Sequence, residues 1–195
     1  MEIFARPRFR RRTPARFALL ALLVLLGGIN AVHAQGSDRK VDLATLARQE
    51  QLLQFDSFDN DTALALGLQV VELARAKGKS VGVNVTRDGT MLFFHGMRGT
   101  TADNADWIRR KSNLVNRTGH SSFYTHNEVK NNGGNIDAMP GLDPREYAAQ
   151  GGSFPLVLKG VGRIGTITVS GLPGEEDHAM VVAALQAYLK VDAGQ

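Results

Sequence analysis

The chain has 195 residues, is 43% hydrophobic and 22% charged, and contains no cysteine. That suits one domain with a sizeable core. It excludes disulfides, thiol catalysis, cysteine metal sites and thiol-linked cofactors. The net charge of +4 is local, because residues 1–16 hold six arginines and one glutamate, leaving 17 basic against 18 acidic side chains from Gln35 onward. The body of the chain therefore gives no support for nucleic-acid binding.

The arginine-rich start is followed by an apolar run, Phe17 to Ile29, shorter than the roughly 20 residues that span a bilayer. Ala31-Val32-His33-Ala34 then puts Val32 and Ala34 at small-residue cleavage positions. Residues 1–34 read as a secretory signal peptide, with Gln35 as the first mature residue. The expected product is exported, periplasmic or secreted, and meets a membrane only through its leader. Arg11-Arg12 raises twin-arginine export, but the following Thr-Pro-Ala-Arg-Phe fits that pattern poorly.

Residues 35–45 read as a linker running into the first helix, expected over Val41 to Gln54 with Leu43, Leu46, Ala47 and Leu53 on its apolar stripe. Asp59 is placed to cap a second helix, Asn60 to Lys77, and Gly78 to stop it. Ser80 to Arg87 alternates strictly, Asp88-Gly89 is a favoured two-residue turn, and Thr90 to Met97 returns. Simple pairing from Arg87 and Thr90 sets Val85 opposite Leu92 and Val83 opposite Phe94. Met91, Phe93 and His95 then share a mixed second face, suited to a ligand or a subunit contact.

Thr101 caps a helix from Ala102 to about Arg117, with Trp107, Ile108, Leu114 and Val115 inward. Its early acids and later bases complement the helix dipole. Ser122 to Lys130 reads as a short helix, and Pro144 to Ala149 as one helical turn or two inside a loop-rich insert. Such an insert is often a lid or an oligomer contact. Ser153 to Lys159 and Arg163 to Ser170 form a second hairpin, and Glu175 to Lys190 the closing helix, with Val181, Val182, Leu185, Tyr188 and Leu189 inward. Residues 46–190 thus form the domain and 191–195 a tail. The fold class is α+β, an antiparallel sheet of two hairpins flanked by helices.

His178, in the first turn of the last helix, shares a face with Val181, Val182 and Leu185 and so points at the sheet. The helix N-terminus favours its neutral form, while Glu175, Glu176 and Asp177 pull the other way. A neutral imidazole there is a candidate metal ligand; a hydrogen-bonded structural histidine is the alternative. Lys111 or Arg110 is a candidate partner for a ligand carboxylate, against a plain solvated face. His120 and His126 flank Ser121 to Thr125 at no recognised metal spacing. No catalytic triad is readable, and Gly160 to Gly165 lies between two strands rather than before a helix, so it is no phosphate loop.

Three runs carry a family resemblance: Gly-Gly-Ser-Phe-Pro (151 to 155), Gly-Arg-Ile-Gly-Thr-Ile-Thr-Val-Ser-Gly (162 to 171) and Leu-Pro-Gly-Glu-Glu-Asp-His (172 to 178). Together they resemble the GlcG/HbpS-like haem-degrading domain family. Gln54 to Ala63, Trp107 to Lys111, Gly119 to Ser122 and Leu142 to Tyr147 resemble its poorly characterised branch that includes a yeast cytosolic member. The resemblance implies a profilin- or PAS-like layered domain, a homo-oligomer, and haem or another small molecule as ligand. It points to Lys111, Ser170 and His178 as ligand-binding positions. On this reading Lys111 or an arginine such as Arg110 meets a propionate, and His178 or His120 approaches the iron, with His178 the metal ligand. That branch is usually leaderless, so cytosolic roles transfer poorly. The leading expectation is an exported haem- or small-ligand-binding protein, assisting haem breakdown or redox sensing. The competing expectations are a non-enzymatic oligomeric scaffold built on the Phe93 face, and an enzyme for organic acids built on Arg109, Arg110 and Lys111.

Overall fold

The computed structural model describes residues 42–194; the expected signal peptide with His33, and most of the expected linker, lie outside the described residues. Nine elements follow one another: α1 (Leu43–Leu52), α2 (Asn60–Ala76), β1 (Gly82–Arg87), β2 (Thr90–Gly96), α3 (Ala102–Thr118), α4 (Ser122–Asn131), β3 (Ser153–Leu158), β4 (Gly162–Ser170) and α5 (Gly174–Leu189). This is the expected α+β class and order. No described helix is long and apolar enough to cross a membrane.

Local chemistry sets most element ends. Asp59 Oδ1 accepts from the Thr62 N–H at 2.7 Å and from its hydroxyl at 2.8 Å, which starts α2. Asp88 and Gly89 both take positive φ, 49° and 79°, as the tight turn requires. Asn104 Oδ1 accepts from the Thr101 N–H at 2.9 Å at the start of α3, and Gly119 in left-handed geometry ends that helix. α1 starts at Leu43 rather than Val41 because Asp42 is its cap. Pro144 to Ala149 forms no helix. It makes one turn closed by Glu146 and Tyr147 N–H groups on the Asp143 carbonyl.

The sheet is fully antiparallel in the order β2-β1-β4-β3, so the two hairpins join through their inner strands. Its two faces differ in chemistry. Val83, Val85, Ile167, Val169, Phe154 and Leu156 pack under α2 and α5 and are all buried. Each such side chain contributes about 1.5–3 kcal/mol of burial. The opposite face carries Asn84, Thr86, Thr166, Thr168, Ser170 and Ser153 toward α3. Their hydroxyls satisfy one another: Thr86 with Thr166 at 2.9 Å, and Thr168 with both Ser112 and Ser153 at 2.8 Å. A second, smaller core of Leu114, Met139 and Ala149 anchors the insert against α3.

The first hairpin departs from the expected register. A bulge puts Val85 opposite Phe93, Val83 opposite His95 and Asn84 opposite Phe94. Leu92 is the extra residue, so the faces of β2 exchange beyond it. Phe93 goes to the core side, where its ring lies on Gly67 of α2; a Cβ there would sit 2.2 Å from the ring. Met91 and Phe94 are left exposed on the α3 side, at 61% and 47%. The mixed face expected of Met91, Phe93 and His95 is therefore formed by Met91 and Phe94.

Candidate functional site

Glycines bring α3, β3, β4 and α5 together at one end of the sheet. A Cβ at Gly151 would lie 2.2 Å from the Gly174 carbonyl oxygen. Gly152, at φ 120°, leaves no room either: its Cβ would meet the Val169 oxygen at 2.5 Å, Asp177 Cβ at 2.8 Å and Lys111 Nζ at 3.0 Å. Without side chains at these points, the first turn of α5 packs directly on the start of β3.

Into that junction Lys111 reaches from α3 and Asp177 from α5. Lys111 Nζ donates to Asp177 Oδ2 at 2.9 Å and to the Val169 carbonyl at 3.3 Å. The Leu172 N–H donates to Asp177 Oδ1 at 3.1 Å. The two side chains are 3% and 1% exposed. Burial pushes the Asp177 carboxyl up to about 6, opposed by the Lys111 charge and hydrogen bond. It likewise pushes the Lys111 ammonium down, opposed by Asp177. With its carboxyl at about 6, Asp177 is ionised at neutral pH and accepts from Lys111. Beside the pair lies a hollow of about 250 Å³, lined also by Asn104, Trp107, Ser170 and Leu172.

His178, one residue on, lines a different space. A cavity of about 280 Å³ between α1 and α5 is walled by Leu46, Gln49, Phe123, His178 and Val182, and also by the acids Asp42 and Glu175. His178 Nε2 lies 3.0 Å from Gln49 Oε1, so Nε2 carries the proton and donates. Nδ1 is buried and has no partner. Phe123 and Phe154 flank the ring, with centroids at 4.8 and 6.0 Å. Burial pushes the imidazole down to about 4. Desolvation alone accounts for that shift, and the ring is neutral at physiological pH.

The other expected positions are occupied by the protein itself. His120 Nδ1 lies 2.7 Å from Glu50 Oε2, and its ring stacks on Tyr124 at 4.2 Å. The Ser121 N–H donates to the other Glu50 oxygen at 2.7 Å, so this group ties α1 to the start of α4. Arg110 donates to Asp106 at 2.7 Å, stacks over Trp107 at 4.0 Å and reaches the Pro144 carbonyl. Arg109 bridges Asp106 and Glu146. The two arginines fasten the 143–147 turn to α3, so the cluster of Arg109, Arg110 and Lys111 is no common anion site. Lys111 and Ser170 share the hollow; His178 and His120 do not join them. Asp177, Gln49 and Phe123 were not singled out from the sequence. Asp177 read there only as part of an acidic helix start.

The described residues thus form a layered α+β domain with two small hollows at one end of its sheet. A model of the HbpS-like haem-degrading proteins matches residues 58–186, and the chain belongs to that family. A UPF0303 protein of Paraburkholderia phymatum is 43% identical over 151 residues, covering 77% of this chain and 92% of its own. A UPF0303 protein of Streptomyces coelicolor is 43% identical over 147 residues, covering 75% and 93%. Among solved structures, the Ybr137w protein superposes with a TM-score of 0.72 at 29% identity, over 78% of this chain and 90% of that one. A PduOC–haem complex superposes with a TM-score of 0.57 at 22% identity, over 71% and 98%, which establishes shared fold alone.

The donor chemistry at His178 fits one end of a haem. A neutral imidazole with an unpartnered nitrogen, beside Phe123, Leu46 and Val182, suits a metal donor and a flat apolar ligand edge. The anionic end finds no partner there, since Asp42 and Glu175 are the charged residues of the lining. The volume is also just under the roughly 300 Å³ at which sites for drug-sized ligands begin, too small to enclose a whole macrocycle.

Proposed function

We propose that this chain is an exported small-ligand-binding protein of the haem-degrading family, that haem is its ligand, and that His178 is the point of attachment. The observation that carries the reading is the buried neutral ring of His178, with its orphaned Nδ1, in the wall of the α1–α5 cavity. The family match supports haem, and the basic, apolar leader supports export. Bound haem would supply iron-centred redox chemistry. The chain's own part is to hold the imidazole neutral, to orient it through Gln49, and to keep water from it with Phe123 and Phe154. Lys111 lies at the other hollow and not at this cavity, which leaves propionates to solvent on this reading. Self-association belongs to the proposal too, through the exposed Met91 and Phe94 on edge strand β2.

The test is a haem titration of mature protein followed by absorption. The expected result is a shifted Soret band at micromolar haem, lost in His178→Ala with circular dichroism unchanged. No shift in the parent protein overturns the proposal. A shift retained in His178→Ala overturns the assignment of the ligand.

A further inference from the structure

The hollow over the Lys111–Asp177 pair is separate from the His178 cavity, and the hydrogen bonding at its floor is lopsided. Both Asp177 oxygens accept, one from Lys111 and the other from the Leu172 N–H. Several donors beside them are less fully used. A lysine ammonium has three N–H groups, and Lys111 directs two of them, to Asp177 and to the Val169 carbonyl. The Ser170 side chain lines the hollow, and the residue is 4% exposed. Its hydroxyl has no hydrogen-bond partner among the described residues. Asn104 uses its carbonyl oxygen to cap α3, which leaves its amide N–H groups at the same hollow.

These donors line the opening, where water or a ligand oxygen can receive them. A pair serving only to staple α3 to α5 would need neither the Ser170 hydroxyl nor an opening beside it. Gly152 packs tightly against the pair and is not part of the lining of the hollow, which Lys111 and Asp177 both line. The runs that carry the family resemblance also meet here: Lys111 from α3, Gly151 and Gly152 before β3, Ser170 and Gly171 after β4, and Asp177 on α5.

We propose that this hollow is a second ligand site, which takes a small molecule through an sp² oxygen, a carboxylate or a carbonyl, received by Lys111, Ser170 and Asn104. Trp107 supplies a flat wall for the ligand body. The volume of about 250 Å³ suits a small ligand body. The exposed Asp103, also in the lining, sets the rim against a second negative charge and favours monoanions or neutral carbonyl compounds. The proposal does not rest on haem binding.

Haem-free, isotope-labelled mature protein is titrated with propionate, propionamide and propylamine, followed by amide chemical shifts. Saturable shifts are expected at Asn104, Ser170, Gly171 and Leu172 with propionate or propionamide, and none with propylamine, which lacks the acceptor. Propionate alone assigns a carboxylate ligand, propionamide alone a neutral carbonyl. Ser170→Ala, which removes one oxygen and leaves the ion pair in place, is expected to weaken binding about tenfold, the loss of one hydrogen bond. No saturable shift with either oxygen compound overturns the proposal. So does equal binding by Ser170→Ala, or a response to propylamine like that to propionate.

Discussion

Replacing Lys111 by Met tests whether α3 and α5 are joined by a charge pair or merely by packing. Methionine keeps most of the length and removes the charge. At 2.9 Å the pair attracts by about 6 kcal/mol at an effective dielectric constant of about 20. Much of that is offset by desolvation of two side chains that are 3% and 1% exposed. Truncating one partner leaves the other charge buried and alone, and costs about 3–5 kcal/mol. Against the roughly 5–15 kcal/mol of a typical domain, that is a large share. The pH dependence has a defined sign. Asp177 already sits near 6, raised by burial, and losing Lys111 raises it further. Its folded state then binds more protons than the unfolded state between the ordinary carboxyl range and the raised value, so stability falls as pH rises through that window. The deficit of Lys111→Met is therefore expected to be largest at pH 8 and to shrink toward pH 5. Urea unfolding of parent and variant at both values measures it. The double variant Lys111→Met with Asp177→Asn removes both charges, keeps an acceptor for the Leu172 N–H, and is expected to recover at least half the loss. A single-variant deficit below about 1 kcal/mol at pH 8, or one that does not change with pH, refutes the reasoning.

His178 provides a second pH test. Its folded value near 4 lies below the ordinary histidine value of 6.5, so the folded state binds fewer protons between the two, and stability falls as pH drops from 6.5 toward 4, by about 3 kcal/mol when complete. Asp177 acts with the opposite sign over part of that range, so the slope is read as the difference between the parent and His178→Gln; equal slopes would sink the claim of a buried neutral ring. Self-association through β2 predicts that Met91→Ser combined with Phe94→Ser lowers the particle mass seen by light scattering. An unchanged mass would place the contact elsewhere.

Element ends and element order were legible in the sequence because they depend on chemistry within a few residues. Asp59 finds its partners three residues on, Asp88-Gly89 folds on itself, and Gly119 ends its helix by its own backbone freedom. The inward aim of His178 was legible for the same reason, as helical spacing alone places it beside Val181 and Val182. What the ring meets there was not. Gln49 is 129 residues away in the chain, and its approach depends on where α1 lands. Lys111 and Asp177 are 66 residues apart on helices packed against different faces of the sheet; Lys111 read as a ligand partner or a solvated charge and Asp177 as part of an acidic helix start, and neither reading named the other as partner. The bulge at Leu92 escaped the alternation rule because the choice between Leu92 and Phe93 is made by α2, whose Gly67 leaves space for a phenyl ring. Composition, caps, turns and motifs thus determined which elements form and to which family the chain belongs. Tertiary structure alone decided which charges lost their water and which partners replaced it, because burial is a property of the assembled layers and not of any one segment.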